Sequence, residues 1–487
     1  MPLTYIECYA SRTLPSRFLI LSIGLPRQKV NIETEECILF SVSKYRRWLI
    51  SLMVVVALAF AVYAIRAQLQ RAVIAASIYR AHIFTAPPPI AGESRWDRLG
   101  DSAKFYWDFS EIPLARQRRL KLLDSTLRPI VKEINRRQAA GDDMHYSIHI
   151  YREIRWRLNF TPDIATTRAR ISDLRQSLTQ PVEQKLAREQ LASDGSWGFG
   201  IDAWYLKLYY SVDDAIECRP PPRYPLSFLD RINSPEKLDA QFDSDLKNEF
   251  TKTGVFNREE LDETFSAMAR LLFESRQTGC YAFHPQLKDA LSAFVDRWQN
   301  PETGCWGQWL LDRQGRVWKM DDMAMTFHVI SDLKGQVQHQ DMIARRLLQL
   351  DHVNFPAGIR FDGHYENHLN WDAVKIFRFA WPILDEPTRQ QIRGEISRML
   401  EWCLTKSYLP DGSFKVSDLD DTQGDAYRYG VWFLQEAGYF RRKDRFWTDR
   451  DFPDSKAVQE RIEAKLKSIG LNDPALKEAY DSLRAMD

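Results

Sequence analysis

Apolar residues along most of this chain recur at helical spacing, and the helical runs themselves recur. Leu120, Leu123, Leu127 and Ile130 mark one such run, and Leu466, Ile469 and Leu471 mark another near the end. Over residues 186–445 a faint unit repeats: glycine, an aromatic two or three residues on, then an acidic residue opening an apolar helix. Its marks are Gly195 with Trp197, Gly254 with Phe256, Gly304 with Trp306, Gly358 with Phe361, and Gly412 with Phe414. The successive aromatics lie 59, 50, 55 and 53 residues apart. A period of that length fits two helices per unit, each unit burying its apolar face against its neighbours. The pattern therefore predicts an all-α fold, a ring of helical hairpins (an α/α toroid), with almost no strand.

One stretch departs from this rhythm. Trp48–Ile65 is 18 residues without a charge, about 27 Å as a helix, and it predicts a transmembrane segment. Lys44, Arg46 and Arg47 precede it and Arg66, Arg71 and Arg80 follow. Adding Arg27 and Lys29 tips the basic excess to the N-terminal side, which places the bulk of the chain outside the cytoplasm. The expected layout is a tail over 1–47, the span at 48–65, a linker with bracing helices over 66–185, the ring over 186–445, and a helical tail over 446–487. Pro87–Pro89 reads as a stiff linker and Pro220–Pro222 as a surface loop.

Composition changes little in this picture. The chain of 487 residues has a formal net charge of +1, which supplies no electrostatic footprint for nucleic acid. The basic run Arg116–Lys121 reads as a solvated helix face. Fifteen tryptophans suit a ring whose wedges need bulky filling. Of six cysteines, none forms a CxxC pair, so no zinc ribbon is expected. Cys218, Cys280, Cys305 and Cys403 fall in the repeats, as buried thiols or as one or two disulfides if that region is extracytoplasmic.

The acidic positions are Asp202, Asp262, Asp321 with Asp322, Asp372, and Asp420 with Asp421. Aspartate at a helix start satisfies free backbone N–H groups and favours the positive end of the helix dipole. If these helices are the inner ones, the same caps line a mouth of the ring with carboxylates.

Three stretches resemble the terpenoid cyclase and prenyltransferase superfamily of α/α toroids. Phe294–Trp306, with Gln299, Gly304 and Trp306, is similar to the glutamine–tryptophan repeat of squalene-type cyclases, with one extra residue before the glycine. Gln190–Gly198 is similar to a segment near the start of class II diterpene cyclases. Asp418-Leu419-Asp420-Asp421 resembles the DxDD acid of class II cyclases. The resemblance covers about half the chain. It implies protonation-initiated cyclisation of an isoprenoid, with Asp420 as proton donor and Asp418 and Asp421 as its partners. A carboxyl crowded by carboxylates stays protonated, as this chemistry needs. Trp306, Trp309, Trp371, Tyr427, Tyr429 and Trp432 are candidates to stabilise a carbocation through their faces, or are core aromatics at helical spacing. No cofactor is expected, beyond Mg2+ if a diphosphate is bound.

A second constellation points elsewhere. Asp321, Asp322 and His328, then His364, Tyr365, His368 and Asp372, would suit a polar cleft for a carbohydrate, with acid–base work by carboxylates, Tyr and His. His364 and His368 are four apart, a spacing that can chelate a metal on one helical turn. No metal is expected, since the acid of a zincin motif is missing. Glycoside hydrolases and polysaccharide lyases are also found as α/α toroids. A partner-binding toroid without catalysis is the third reading. The chain has no P-loop, GxSxG elbow or Rossmann fingerprint.

Overall fold

The computed structural model describes residues 35–487 except 140–141, 143, 145, 149, 152, 155–163, 180–188, 198–202, 219–220, 250–256, 275–279, 362, 418–421, 472 and 486–487. The described chain is mostly helical and divides into two units, residues 1–69 and residues 70–487.

In the first unit the described element is the start of α1 (Glu35–Ala81). The apolar stretch Trp48–Ile65 lies on this helix. Its described side chains are solvent-exposed, Trp48, Met53, Val55 and Phe60 among them. Those of Tyr63 and Ala64 lie outside the described set. Among the described residues no helix is long and apolar enough to cross a membrane.

The second unit contains α2 (Arg95–Ala139), α3 (Ile164–Ser177), α4 (Trp204–Glu217), α5 (Pro235–Leu246), α6 (Arg258–Phe273) and α7 (Leu287–Trp298). Then come α8 (Met323–Asp332), α9 (Gln340–Gln349), α10 (Asn367–Ala380), α11 (Glu386–Trp402), α12 (Gln423–Glu436), α13 (Ser455–Ile469) and α14 (Pro474–Arg484). Alternate helices pack in succession: α4 on α6, α6 on α8, α8 on α10, α10 on α12, and α12 on α14. The helices between them form a second layer, with α5 on α7 and α9 on α11, each also touching a member of the first row. This is the hairpin-per-repeat arrangement that the period implies, seen as a two-layered row. One continuous apolar core runs along it. Leu127 and Ile130 join a second, smaller core with Ile134, Ile150, Ile154, Ile171 and Leu174. The side chains of Arg116–Lys121, Leu120 and Leu123 lie outside the described set.

The glycine–aromatic marks owe their recurrence to a turn. Gln299 Nε2 donates to the carbonyls of Gly304 (2.9 Å) and Gln338 (3.0 Å), so it closes its own turn and ties it to the next hairpin. Gln190 Nε2 does the same with Gly195 and Tyr224, both at 2.7 Å. The two segments share the offset from glutamine to glycine and from glycine to tryptophan. Gly304 has φ +77° and Gly195 φ +74°, the left-handed region where a side chain is strained. A Cβ at Gly195 would meet the Pro225 carbonyl oxygen at 1.9 Å. Gly254 and Phe256, the second mark, lie outside the described residues.

The little strand there is forms a small four-stranded sheet in the order β1 (Phe84–Thr85), β4 (Val317–Met320), β3 (Trp309–Leu311), β2 (Lys247–Asn248). The β2–β3 pair is parallel and the other two are antiparallel. The β3–β4 hairpin is the insert that lengthens the third repeat. Its strands are too short to leave a periodic signature, and β1 is recruited from far upstream. Arg346 holds that upstream segment by donating to the carbonyls of Ala81 (2.8 Å) and His82 (2.9 Å).

Cys218 and Cys280 form a disulfide with Cα atoms 6.2 Å apart, within the ordinary range. Cys305 and Cys403 are free and buried, so the four repeat-region cysteines divide between the two expectations.

Candidate functional site

The first two turns of α6, α8, α10 and α12 carry the polar residues that meet inside the row. On α8 the expected cap is found: Asp322 is the N-cap and accepts from the Met325 N–H at 3.0 Å. Elsewhere the caps are different residues. Asn257 precedes α6, Glu366 caps α10 by accepting from His368 N (2.7 Å), and Thr422 caps α12 in a capping box with Asp425. Asp262 and Asp372 thus sit in the second turn of their helices. A carboxyl there has no orphan N–H to satisfy, and it points at neighbouring helices instead.

Asp322 grips Arg258 at the start of α6. The guanidinium Nη2 donates to Asp322 Oδ1 at 2.9 Å while Nε donates to Oδ2, and Nη1 donates to Glu259. Nη2 also lies 3.5 Å from Asp262. Burial works against the Arg258 charge, yet Asp322 and Glu259 outweigh it and hold its pKa well above the usual value. Asp262 in turn bonds His328 of α8, Oδ1 to Nδ1, at 2.7 Å. Burial opposes an imidazolium there, but the Asp262 charge prevails and raises His328 to about 10. The same histidine holds Asp262 below the normal carboxylate range despite its burial.

On α10, His368 stacks on Tyr429 of α12 with ring centres 3.8 Å apart and planes 10° apart. Burial, then repulsion from His328 and Arg428, lowers its pKa to about 3, so its ring is neutral. Its Nε2 lies 4.0 Å from Asp372 Oδ2. Asp372 is only 6% exposed and its Oδ1 has no hydrogen-bond partner. Burial pushes its pKa well up, His328 and Lys375 only partly offsetting that. Glu263 on α6 is raised in the same way by burial and by Asp262. Glu259 rises to about 7, chiefly through burial.

Aromatic rings flank these groups. Trp371 lies 4.8 Å from Trp432, 6.1 Å from Tyr429 and 5.0 Å from Phe327. Lys375 Nζ sits 5.1 Å from the Trp371 ring centre, and the Arg428 guanidinium 5.6 Å from that of Trp432.

Asp322, His328, His368 and Asp372 are therefore brought together, with Trp371 and Trp432 beside them. The other expected residues lie elsewhere. Asp321 precedes α8 and turns to Arg346 Nε (2.7 Å) and Thr303 (2.7 Å), so it shares no helix face with His328. His364 pairs with Phe361 ahead of α10, so His364 and His368 do not lie on one helical turn. Tyr365 donates to Glu395 Oε1 (2.9 Å) and lies under Arg360. Trp306 is core, its indole donating to the Val295 carbonyl at 3.0 Å. Tyr427 is fully buried against Phe414, and Trp309 lies on β3 under Lys319. Asp202, Asp418, Asp420 and Asp421 lie outside the described residues.

Sequence reasoning missed Arg258, Glu259, Glu263 and Glu366. Of residues 258–263 the sequence singles out only Asp262, as one of the recurring helix-start acids. Their one signal is position: they open a helix of the same row as His328 and Asp372. Comparison of the chain with protein-family profiles, with curated proteins and with solved structures finds no match.

Proposed function

We propose that residues 186–445 close into an α/α toroid acting as a glycoside hydrolase, tethered to a membrane by α1 and lying outside the cytoplasm. What carries this reading is the meeting of a carboxyl that burial drives toward its neutral form, Asp372, and a neutral imidazole, His368, on α10 with an ionised carboxylate, Asp262, on α6. Glycosidic bonds break when an acid protonates the leaving oxygen while a carboxylate offsets the oxocarbenium-like charge. Asp372 donates the proton as the C–O bond breaks. Asp262, kept ionised by His328, stabilises the positive charge at the anomeric carbon. Water then adds there and yields its proton to His368, which passes it to Asp372 4.0 Å away and so restores the acid. Trp371 and Trp432 supply flat apolar faces for sugar rings. The exposed apolar face of α1 and the disulfide both support the extracytoplasmic, membrane-held placement.

The test uses the full chain in detergent micelles against neutral, amino-sugar and uronate glycans. Asp372→Asn and His368→Ala should each lower cleavage by roughly 100-fold or more while the protein stays folded. Cleavage unchanged in both variants, or no cleavage of any glycan class, overturns the hydrolase. Conversion of an isoprenoid that is lost in Asp420→Asn but kept in Asp372→Asn transfers the activity to the DxDD acid.

A further inference from the structure

We infer that a second ligand site, sharing no residue with the first, lies in the cavity between α9 and the segment after α1, and that it takes a compound bearing a phosphoryl group. The cavity has a volume of about 590 Å³, within the range of small-molecule sites. Met342, Arg345, Arg346 and Gln349 recur at helical spacing and form its α9 wall. His82, Phe84 and Thr85 supply the other wall. Arg346 pins that upstream segment through the carbonyls of Ala81 and His82, so the cavity exists only in the folded chain.

The polar lining has donors to spare and few acceptors. Arg346 is buried and already engaged, its Nε donating to Asp321 Oδ2 at 2.7 Å and its Nη1 to Gln349 Oε1 at 3.0 Å. That bond uses the oxygen of Gln349, whose Nε2 amide has no partner among the described residues. Arg345 donates through Nη1 to Asp385 Oδ2 at 3.1 Å and to Thr388 Oγ1 at 2.8 Å, and its Nη2 has no partner among them either. Asp341 and Asp385, the carboxylates beside this guanidinium, have side chains about half exposed, where water and salt screen their charge. Thr85 Oγ1 accepts from Asn300 Nδ2 at 2.9 Å, which leaves its O–H to donate. Glu302 is the carboxylate on this lining, and Lys319 lies in its field.

Unpartnered donors around a cavity call for an acceptor-rich ligand, since an apolar occupant would leave them unsatisfied. A cation would meet Arg345. The planar fork of an arginine fits the oxygens of a phosphoryl group. That group presents oxygens on every side, so it answers Arg345 and Gln349 on α9 and Thr85 on the other wall together. It fills only part of the volume, and Phe84 and Met342 remain for the rest of the compound. The phosphoryl group belongs either to a soluble phosphate ester or to a phospholipid headgroup.

The experiment is isothermal titration of the full chain in nonionic detergent micelles with glycerol 3-phosphate, with glycerol as its neutral counterpart, and with dihexanoyl phosphatidate. A phosphate compound should bind and glycerol should not. Arg345→Gln and Gln349→Glu should each weaken that binding about tenfold or more. Gln349→Glu keeps an oxygen for Arg346 and exchanges the amide donor for a negative charge, so it reads ligand contact rather than the packing of α9. Far-ultraviolet circular dichroism checks that both variants are folded, and either one suffices for the test. Tighter binding of the phosphatidate assigns a lipid headgroup, whereas equal or tighter binding of glycerol 3-phosphate assigns a soluble ester. Binding of neither phosphate, equal binding of glycerol, or full affinity in both variants overturns the inference. None of these readings depends on glycan cleavage, so the hydrolase stands or falls separately.

Discussion

His328 and His368 share one site and are held in opposite charge states. The difference comes from partners: His328 has Asp262 at 2.7 Å, while His368 has only Asp372 at 4.0 Å and the face of Tyr429. The folded His328 pKa, about 10, lies above its unfolded value, so its contribution to stability is complete below about pH 6.5 and is lost as pH rises through 10. His328→Ala should therefore cost roughly 1.5–3 kcal/mol near neutral pH. The gap to the wild type should narrow steadily from pH 7 to 10 in urea unfolding at stepped pH. A gap independent of pH would mean that the histidine is not charged. At this scale the sequence offered residue types only. His328, His368 and Asp372 stood out as histidines and a repeat-phase aspartate that would suit a polar cleft. Arg258 and Glu263 did not, because a charged run before an apolar one ordinarily faces water.

Helix starts are the elements that build the site, and they differ in what they hold. Asp322 caps α8 and also neutralises the buried Arg258, whereas Thr422 caps α12 within a local capping box. Asp322→Ala should cost about 3–5 kcal/mol, because it strands a buried guanidinium. Thr422→Ala should cost about 1 kcal/mol. Equal losses in thermal unfolding would show that Arg258 finds another partner. The glutamine–glycine–tryptophan turns were legible in advance because their chemistry is local: a glycine with positive φ and a glutamine that caps its own turn. Which acid caps which helix was not legible. Each repeat has several carboxyls near the helix start, and a shift of a few residues moves one from the cap to the inner face. The hairpin β3–β4 escaped for a related reason, since its short strands are stabilised by pairing with a segment more than 200 residues upstream.

For the molecule as a whole, the disulfide and α1 carry the predictions. Cys218 and Cys280 are 62 residues apart, a loop whose closure is worth about 4 kcal/mol in the chain-entropy description. Cys218→Ser should lower the unfolding free energy of the oxidised protein by up to that amount, while dithiothreitol should destabilise the wild type and leave the variant unmoved. A protein that dithiothreitol leaves unmoved would carry free thiols there. Arginine placed at both Val55 and Val56 should release the chain from membranes, at roughly 2.5–3.5 kcal/mol for each charge, as read by carbonate extraction. Full retention of that variant would count against α1 as the anchor. The sequence by itself determined the helical class and the hairpin period, because turn chemistry and apolar spacing act within a few residues. It also determined the uncharged stretch on α1. Only the tertiary structure decided which carboxyls and histidines meet. Their charge states depend on burial and on neighbours from other helices, and neither exists until α6, α8, α10 and α12 pack in a row.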